Sequence, residues 1–305
     1  FVGSATSGID HIDLKYLKSE NIEFAHSPGN NANAVVQYDL SVFANLKPDW
    51  RALTIGIIGC GKVGGRLYAL LKELGVKIGV YDPFLSEKQI PELIDLNEVL
   101  KSDIVCIHTP LTFNGKHPTA NLLDKDKINR LPAGALLINA GRGGVLDEDA
   151  LFRRLKSKND LHVALDVWDA EPIINLPLMN RVALATPHIA GYTLEAKKKA
   201  SLMLRDAFLS WQGAAPTAGD VIVSNPKIIR LEKTVKPLNH LILACYDALE
   251  DDKALRLALN NGDERGLGFE KLRNEYSFRH DFQYYSVAGP QGSLNELRVL
   301  GFEVD

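Results

Sequence analysis

The chain has 305 residues, 46% of them hydrophobic and 24% charged, with a formal net charge of −3. This is the mix of ordinary folded domains, which excludes a disordered or fibrous chain, and the length allows two or three domains at about 100–200 residues each. The weak acidity argues against a nucleic-acid partner, and no apolar run approaches the roughly 18 residues that would span a bilayer. No charged-then-apolar signal peptide opens the chain, which begins at Phe1. Cys60, Cys106 and Cys245 form an odd set without metal-ligand spacing. They predict three small buried hydrophobes in a reducing, cytoplasmic compartment, with no disulfide framework and no metal.

In chain order, residues 33–46 carry a helical pattern of Val35, Val36, Leu40, Val42 and Phe43, which Asp39 interrupts without explanation. Short runs rich in Val and Ile follow at 53–58, 77–81, 104–108, 135–139, 162–167 and 182–185. Each is too short for a typical helix and is bounded by Gly, Pro, Asp or Asn, so each reads as a buried parallel strand. Helical stretches at 63–74, 96–101, 125–131 and 148–156 alternate with them. The last has Asp147, Glu148 and Asp149 in its first turn and Arg153, Arg154 and Lys156 in its last, which matches the helix dipole. This alternation predicts an α/β fold built on a doubly wound parallel sheet. Residues 194–211 read as a further helix with a solvated basic run at 197–199. Residues 212–220 read as a linker. The tail from 221 reads as a small separate α/β module, with helices over 237–250, 271–276 and 294–300 and a strand over 282–287.

Gly59-Cys60-Gly61-Lys62-Val63-Gly64 is a G-x-G-x-x-G that follows one predicted strand and opens a helix. In that context Gly59 permits the tight turn, Gly61 lets backbone approach a pyrophosphate, and Gly64 allows close helix–strand packing. The helix N-terminus, at Lys62 and Val63, faces the anion. Asp82 ends the next strand near the expected spacing of about 20 residues, where a carboxylate accepts hydrogen bonds from both ribose hydroxyls and repels a 2′-phosphate. The reading is a Rossmann-type domain that prefers NAD to NADP. His108-Thr109-Pro110-Leu111 ends another strand and suits a loop over the dinucleotide.

Three more predicted strands are followed by reactive residues: Asn139-Ala-Gly-Arg142-Gly-Gly, Asp166-Val-Trp-Asp-Ala-Glu171-Pro, and Pro187-His188-Ile-Ala-Gly191-Tyr192. Strand carboxyl ends are where open α/β sheets bind ligands. An imidazole such as that of His188 can take a hydroxyl proton as hydride leaves, Glu171 can orient and stabilise it, and Arg142 can hold a substrate carboxylate bidentately.

These segments resemble those of the D-isomer-specific 2-hydroxyacid dehydrogenases. Three features narrow the resemblance to a branch acting on a four-carbon phosphorylated 2-hydroxy acid: the loop from Val2 to His11, the extension His188-Ile-Ala-Gly-Tyr192-Thr-Leu-Glu195, and the tail with Phe269-Glu-Lys-Leu-Arg273-Asn-Glu-Tyr276. The resemblance implies that Arg142, Glu171 and His188 are catalytic, that Asp82, Thr109, Asp166 and Gly191 contact NAD, and that Thr6 and Tyr192 contact the substrate. It implies a partial flavodoxin-like substrate domain over 1–47, an NAD-binding domain over 48–192, a helix returning to the substrate domain over 193–212, and a C-terminal dimerisation domain of a homodimer over 221–305. Family members begin well upstream of Phe1, so the resemblance also implies a substrate domain without its first half, in a chain that binds NAD but turns over poorly. Ser4, Thr6, Ser7 and Tyr192 offer a phosphate hydroxyls but no charge, so Arg273 or Arg279 of the tail, from the same or a partner subunit, is expected to supply it. Two other readings stay open: a relative acting on phosphoglycerate, glycerate or lactate, and a non-enzymatic NAD(H)-sensing protein of corepressor type.

Overall fold

The computed structural model describes residues 1–215, 227–230, 238–260, 265–288 and 294–304. At its start β1 (Val2–Ser4) pairs in parallel with β2 (Phe24–His26). Between them lies α1 (Leu14–Ser19), capped by the Asp13 carboxylate, which accepts from the Tyr16 N–H. The long helix α2 (Ala32–Leu46) follows and is buried from Ala34 to Ala44.

Next come β3 (Thr54–Ile58), α3 (Lys62–Glu73), β4 (Lys77–Tyr81), α4 (Leu96–Val99), β5 (Ile104–Ile107), α5 (Lys125–Arg130), β6 (Leu136–Asn139), α6 (Glu148–Ser157), β7 (His162–Leu165), α7 (Leu176–Met179) and β8 (Leu184–Ala185). The six strands form one parallel sheet in the order β4-β3-β5-β6-β7-β8. Alternate residues serve two cores: Ile55, Ile57, Ile104, Cys106, Leu136 and Ile138 pack on one face, and Ile58, Val105, Ile107 and Leu137 on the other. Covering both faces is why these strands read as continuous apolar runs. Beyond β4 the edge shrinks to a single parallel bridge, Val80 to Leu93. Strand order reverses between β3 and β5, so their carboxyl ends flank the crevice where such sheets take ligands. The expected strand over 162–167 stops at Leu165, because the Asp166 carboxylate turns to receive Thr186 Oγ1, Ile189 N–H and Ala190 N–H at 2.7–3.0 Å.

Helix α8 (Leu194–Trp211), capped by Thr193, returns to the first strands. Ser27 Oγ donates to the Ala200 carbonyl at 3.0 Å, and the Phe1 ring packs against Phe208 and Trp211. The basic run 197–199 is exposed, as expected. Most of the expected linker over 212–220 lies outside the described residues.

The tail contributes β9 (Lys227–Arg230), α9 (Leu238–Cys245), α10 (Ala248–Leu259), α11 (Leu267–Asn274), β10 (Tyr285–Ala288), α12 (Leu294–Leu300) and β11 (Glu303–Val304). Its strands form a parallel sheet of their own, β11-β10-β9. The helix expected over 237–250 is two helices. Asp247 ends the run by capping α10, accepting from the Leu249 N–H while also receiving Asn45 Nδ2. The helix expected over 271–276 begins earlier, at Leu267, and the strand expected over 282–287 opens as a 3-10 turn. The module has its own sheet, yet its helices enter both cores of the large sheet. Leu241, Ile242 and Leu297 join one, and Leu255, Leu259 and Phe269 the other. Polar ties reinforce this: Trp50 Nε1 donates to Asn239 Oδ1 at 2.9 Å, and the Ala185 N–H to Asp252 Oδ1 at 2.7 Å.

Candidate active site

The G-x-G-x-x-G turn lies between β3 and α3, as its spacing requires. Gly59 has φ +88°, and a Cβ built on Gly64 would overlap the Gly59 carbonyl oxygen, so both positions demand glycine. A Cβ on Gly61 would meet nothing within 4 Å, which leaves its backbone open to a ligand. Gly61 precedes α3 without a side-chain cap, so the first N–H groups of α3, at Lys62 and Val63, are uncapped by any side chain. Asp82 Oδ2 receives the Cys60 N–H at 2.9 Å and Oδ1 the Phe84 N–H at 3.0 Å. Gly59, Gly61, Asp82, Phe84 and Thr109 line one cleft of about 410 Å³. Thr109 Oγ1 is buried with no hydrogen-bond partner among the described residues. An uncapped helix start, a ribose-side carboxylate and an orphaned hydroxyl fit a dinucleotide.

Asp39 finds its explanation beside this cleft. It is fully buried, and its Oδ2 faces His108 Nε2 at 3.1 Å, at the end of β5. Burial pushes the Asp39 carboxyl up, and His108 draws it down. The residue that breaks the apolar pattern of α2 is therefore half of a buried pair against the crevice wall. The cysteines are free and buried, and burial with Asp82 nearby raises the Cys60 thiol to about 11.

A second cleft, of about 350 Å³, collects Thr6, Arg142, His188, Gly191, Tyr192 and Arg273. His188 Nδ1 lies 2.7 Å from Glu171 Oε2, and Glu171 Oε1 receives the Trp168 N–H at 2.9 Å. Arg142 Nε donates to Asp10 Oδ2 at 2.7 Å and its Nη1 to the Gly141 carbonyl at 2.8 Å. Gly191, expected among the NAD contacts, lines this cleft against Asn31. Asp166, expected at the nicotinamide, is buried and braces the backbone of the His188 loop through both its oxygens. Thr6 Oγ1 lies 2.6 Å from Ser4 Oγ and donates to the Gly8 carbonyl at 2.7 Å.

Of the two tail arginines, the structure separates the roles. Arg279 is buried, and its guanidinium donates to the carbonyls of Ile189, Ala190, Tyr192 and Ala34 and to Gln37 Oε1, with its face 3.9 Å from the Tyr246 ring centre. Every direction is taken, so Arg279 does not hold a phosphate; it clamps the His188 loop to α2. Arg273 lines the cleft. Asp10, Asp39 and Lys197 are functional candidates that the sequence did not single out by role, although Asp39 left a signal as a carboxylate in an apolar helix and Lys197 belongs to the basic run; Arg279, expected at a phosphate, clamps the His188 loop instead. Among the described residues there is no cluster of three or more His, Cys, Asp or Glu side chains that could hold a metal. No described helix is long and apolar enough to cross a membrane.

Residues 37–190 match the D-isomer specific 2-hydroxyacid dehydrogenase NAD binding domain, and residues 225–301 match a domain of unknown function (DUF3410). The chain is 41% identical to an erythronate-4-phosphate dehydrogenase of Cellvibrio japonicus, over 99% of this chain and 83% of that protein. It is also 41% identical to one of Teredinibacter turnerae, over 100% of this chain and 83% of that protein. Among solved structures it is similar to a D-lactate dehydrogenase from Aquifex aeolicus complexed with NAD and lactic acid. That match has a TM-score of 0.59 and 26% identity, covering 69% of this chain and 76% of the other.

Proposed function

The chain belongs to the D-isomer-specific 2-hydroxyacid dehydrogenases, with their NAD-binding domain, and on that premise we propose that it oxidises 4-phospho-D-erythronate to 2-oxo-3-hydroxy-4-phosphobutanoate, a step in pyridoxal 5′-phosphate synthesis. The observation that carries this reading is the His188–Glu171 pair, at 2.7 Å, whose imidazole lines a cleft with Arg142. Bound NAD supplies the hydride acceptor. His188 Nε2 takes the proton from the C2 hydroxyl, because Nδ1 is engaged by Glu171, which fixes the tautomer and stabilises the imidazolium. Arg142 exchanges Asp10 for the substrate carboxylate and polarises the adjacent oxygen. Thr6 and Tyr192 position the rest of the substrate. Asp82 would hold the adenosine ribose, and Thr109 with the Gly59, Gly61 and Gly64 turn would hold the diphosphate; Asp166, which braces the His188 loop, and Gly191 would serve the nicotinamide side. Residues 1–47 and 193–212 serve the substrate, 48–192 the cofactor, and 221–305 pair two copies into a homodimer. The three buried free cysteines support a cytoplasmic location.

His188→Gln tests the reading. Turnover should fall about 10²–10⁴-fold while NADH still binds. Unaltered turnover would remove His188 from the chemistry, and a protein that binds NADH but turns over no 2-hydroxy acid even with His188 intact would be a sensor.

A further inference from the structure

A phosphorylated acid brings two anionic ends into the cleft, and Arg142 answers only one. The second cation comes from the tail. Arg273 stands in the last turn of α11 and lines the cleft with His188, Arg142 and Tyr192. Its Nε is buried without a hydrogen-bond partner, and its Nη2 lies 3.4 Å from the Tyr192 hydroxyl. Among the described residues no carboxylate pairs with it, whereas Arg51, Arg142, Arg154, Arg205 and Arg256 each have one. A buried, unanswered guanidinium N–H costs free energy unless something accepts from it.

Its surroundings extend the same charge. Lys197 of α8 sits 4.9 Å from the ring centres of both Tyr192 and Phe278, lines the same cleft, and has no carboxylate partner among the described residues. Tyr192 stacks edge-on against Tyr276 of the tail at 5.8 Å. Tail residues therefore set both the guanidinium and the aromatic wall that orients Tyr192. A planar guanidinium matches two oxygens of a phosphate, and a lysine adds a point charge.

We propose that the C-terminal module completes the substrate site of its own chain, with Arg273 as the main ligand of the substrate's phosphomonoester and Lys197 as its auxiliary. This rests on the reaction proposed above. It gives the module that matches a domain of unknown function a part in specificity.

The test compares kcat/KM for 4-phospho-D-erythronate and for unphosphorylated D-erythronate in the wild type and in Arg273→Met. The preference for the phosphorylated acid should fall about 10–100-fold in the variant, and by less in Lys197→Met. General damage to the fold would lower both substrates together. A preference equal to that of the wild type therefore overturns the proposal. Inorganic phosphate serves as an independent probe. It should raise the melting temperature of the wild type and not of Arg273→Met, and equal shifts overturn the subsite. If the wild type shows no preference for the phosphorylated acid yet phosphate protects it through Arg273, the subsite stands and the reaction assigned above falls.

Discussion

His188 has φ +56°, a left-handed backbone that costs a non-glycine residue on the order of 1 kcal/mol or more. Its neighbours hold it there from both sides. The His188 N–H donates to the Asp166 carbonyl at 2.8 Å, the next two N–H groups reach the Asp166 carboxylate, and Arg279 takes the following carbonyls. The imidazole is thus presented to the cleft by a backbone that cannot relax independently. Arg142 is placed by an equally local constraint. A Cβ built on Gly8 would overlap Arg142 Nη2 and come within 2.7 Å of its Cζ. Gly8→Ala should therefore push the guanidinium from its seat and lower kcat/KM about 10–100-fold while leaving NADH binding in place. Steady-state kinetics beside an NADH titration would check this, and wild-type kcat/KM in the variant would show that the seat does not matter.

At the scale of elements, the start of α6 carries a pH dependence. Glu148 lies in its first turn, and its Oε1 receives the Asp169 N–H at 2.7 Å. Burial, with Asp169 and Glu171 adding repulsion, raises its carboxyl from 4.5 to about 7. The folded state then binds this proton more tightly than the unfolded state. Stability from this group is fully present below pH 4.5 and is lost as pH rises to about 7. Glu148→Gln should gain on the wild type by on the order of 1–2 kcal/mol between the acid and alkaline ends of that window. Urea unfolding at both ends measures it, and parallel profiles would refute it. Elements also differ in how far they could be read in advance. The central strands were legible because Val, Ile and Leu must fill both faces, and Arg142, Glu171 and His188 stood out as candidates because each follows such a strand. The break at Tyr246 and Asp247 was not, because it depends on Asp247 reaching Asn45 of α2. The Arg279 clamp was not either, since its partners on α2 and the His188 loop are remote in sequence and leave no periodic trace.

Across the whole molecule, both candidate clefts lie at the carboxyl ends of the strands of the large sheet. The cleft proposed for the dinucleotide opens between β3 and β5, and the one proposed for the substrate lies between the first loop, α8 and the His188 turn. The tail reaches both cores and, through Arg273, lines the cleft, where the proposed phosphate subsite and the proposed dimer surface would share one module. Asp39 shows how far composition alone could go: an anomaly in α2 was visible, but its meaning required His108 from a strand that folds against it. The most direct test of the account is a competition in one vessel. Purified protein is given NAD with equal amounts of 4-phospho-D-erythronate carrying deuterium at C2 and unlabelled D-lactate, and the NADH is weighed by mass spectrometry. Hydride transfer from the phosphorylated acid predicts that nearly all NADH carries the label; mostly unlabelled NADH, or none formed, would contradict it.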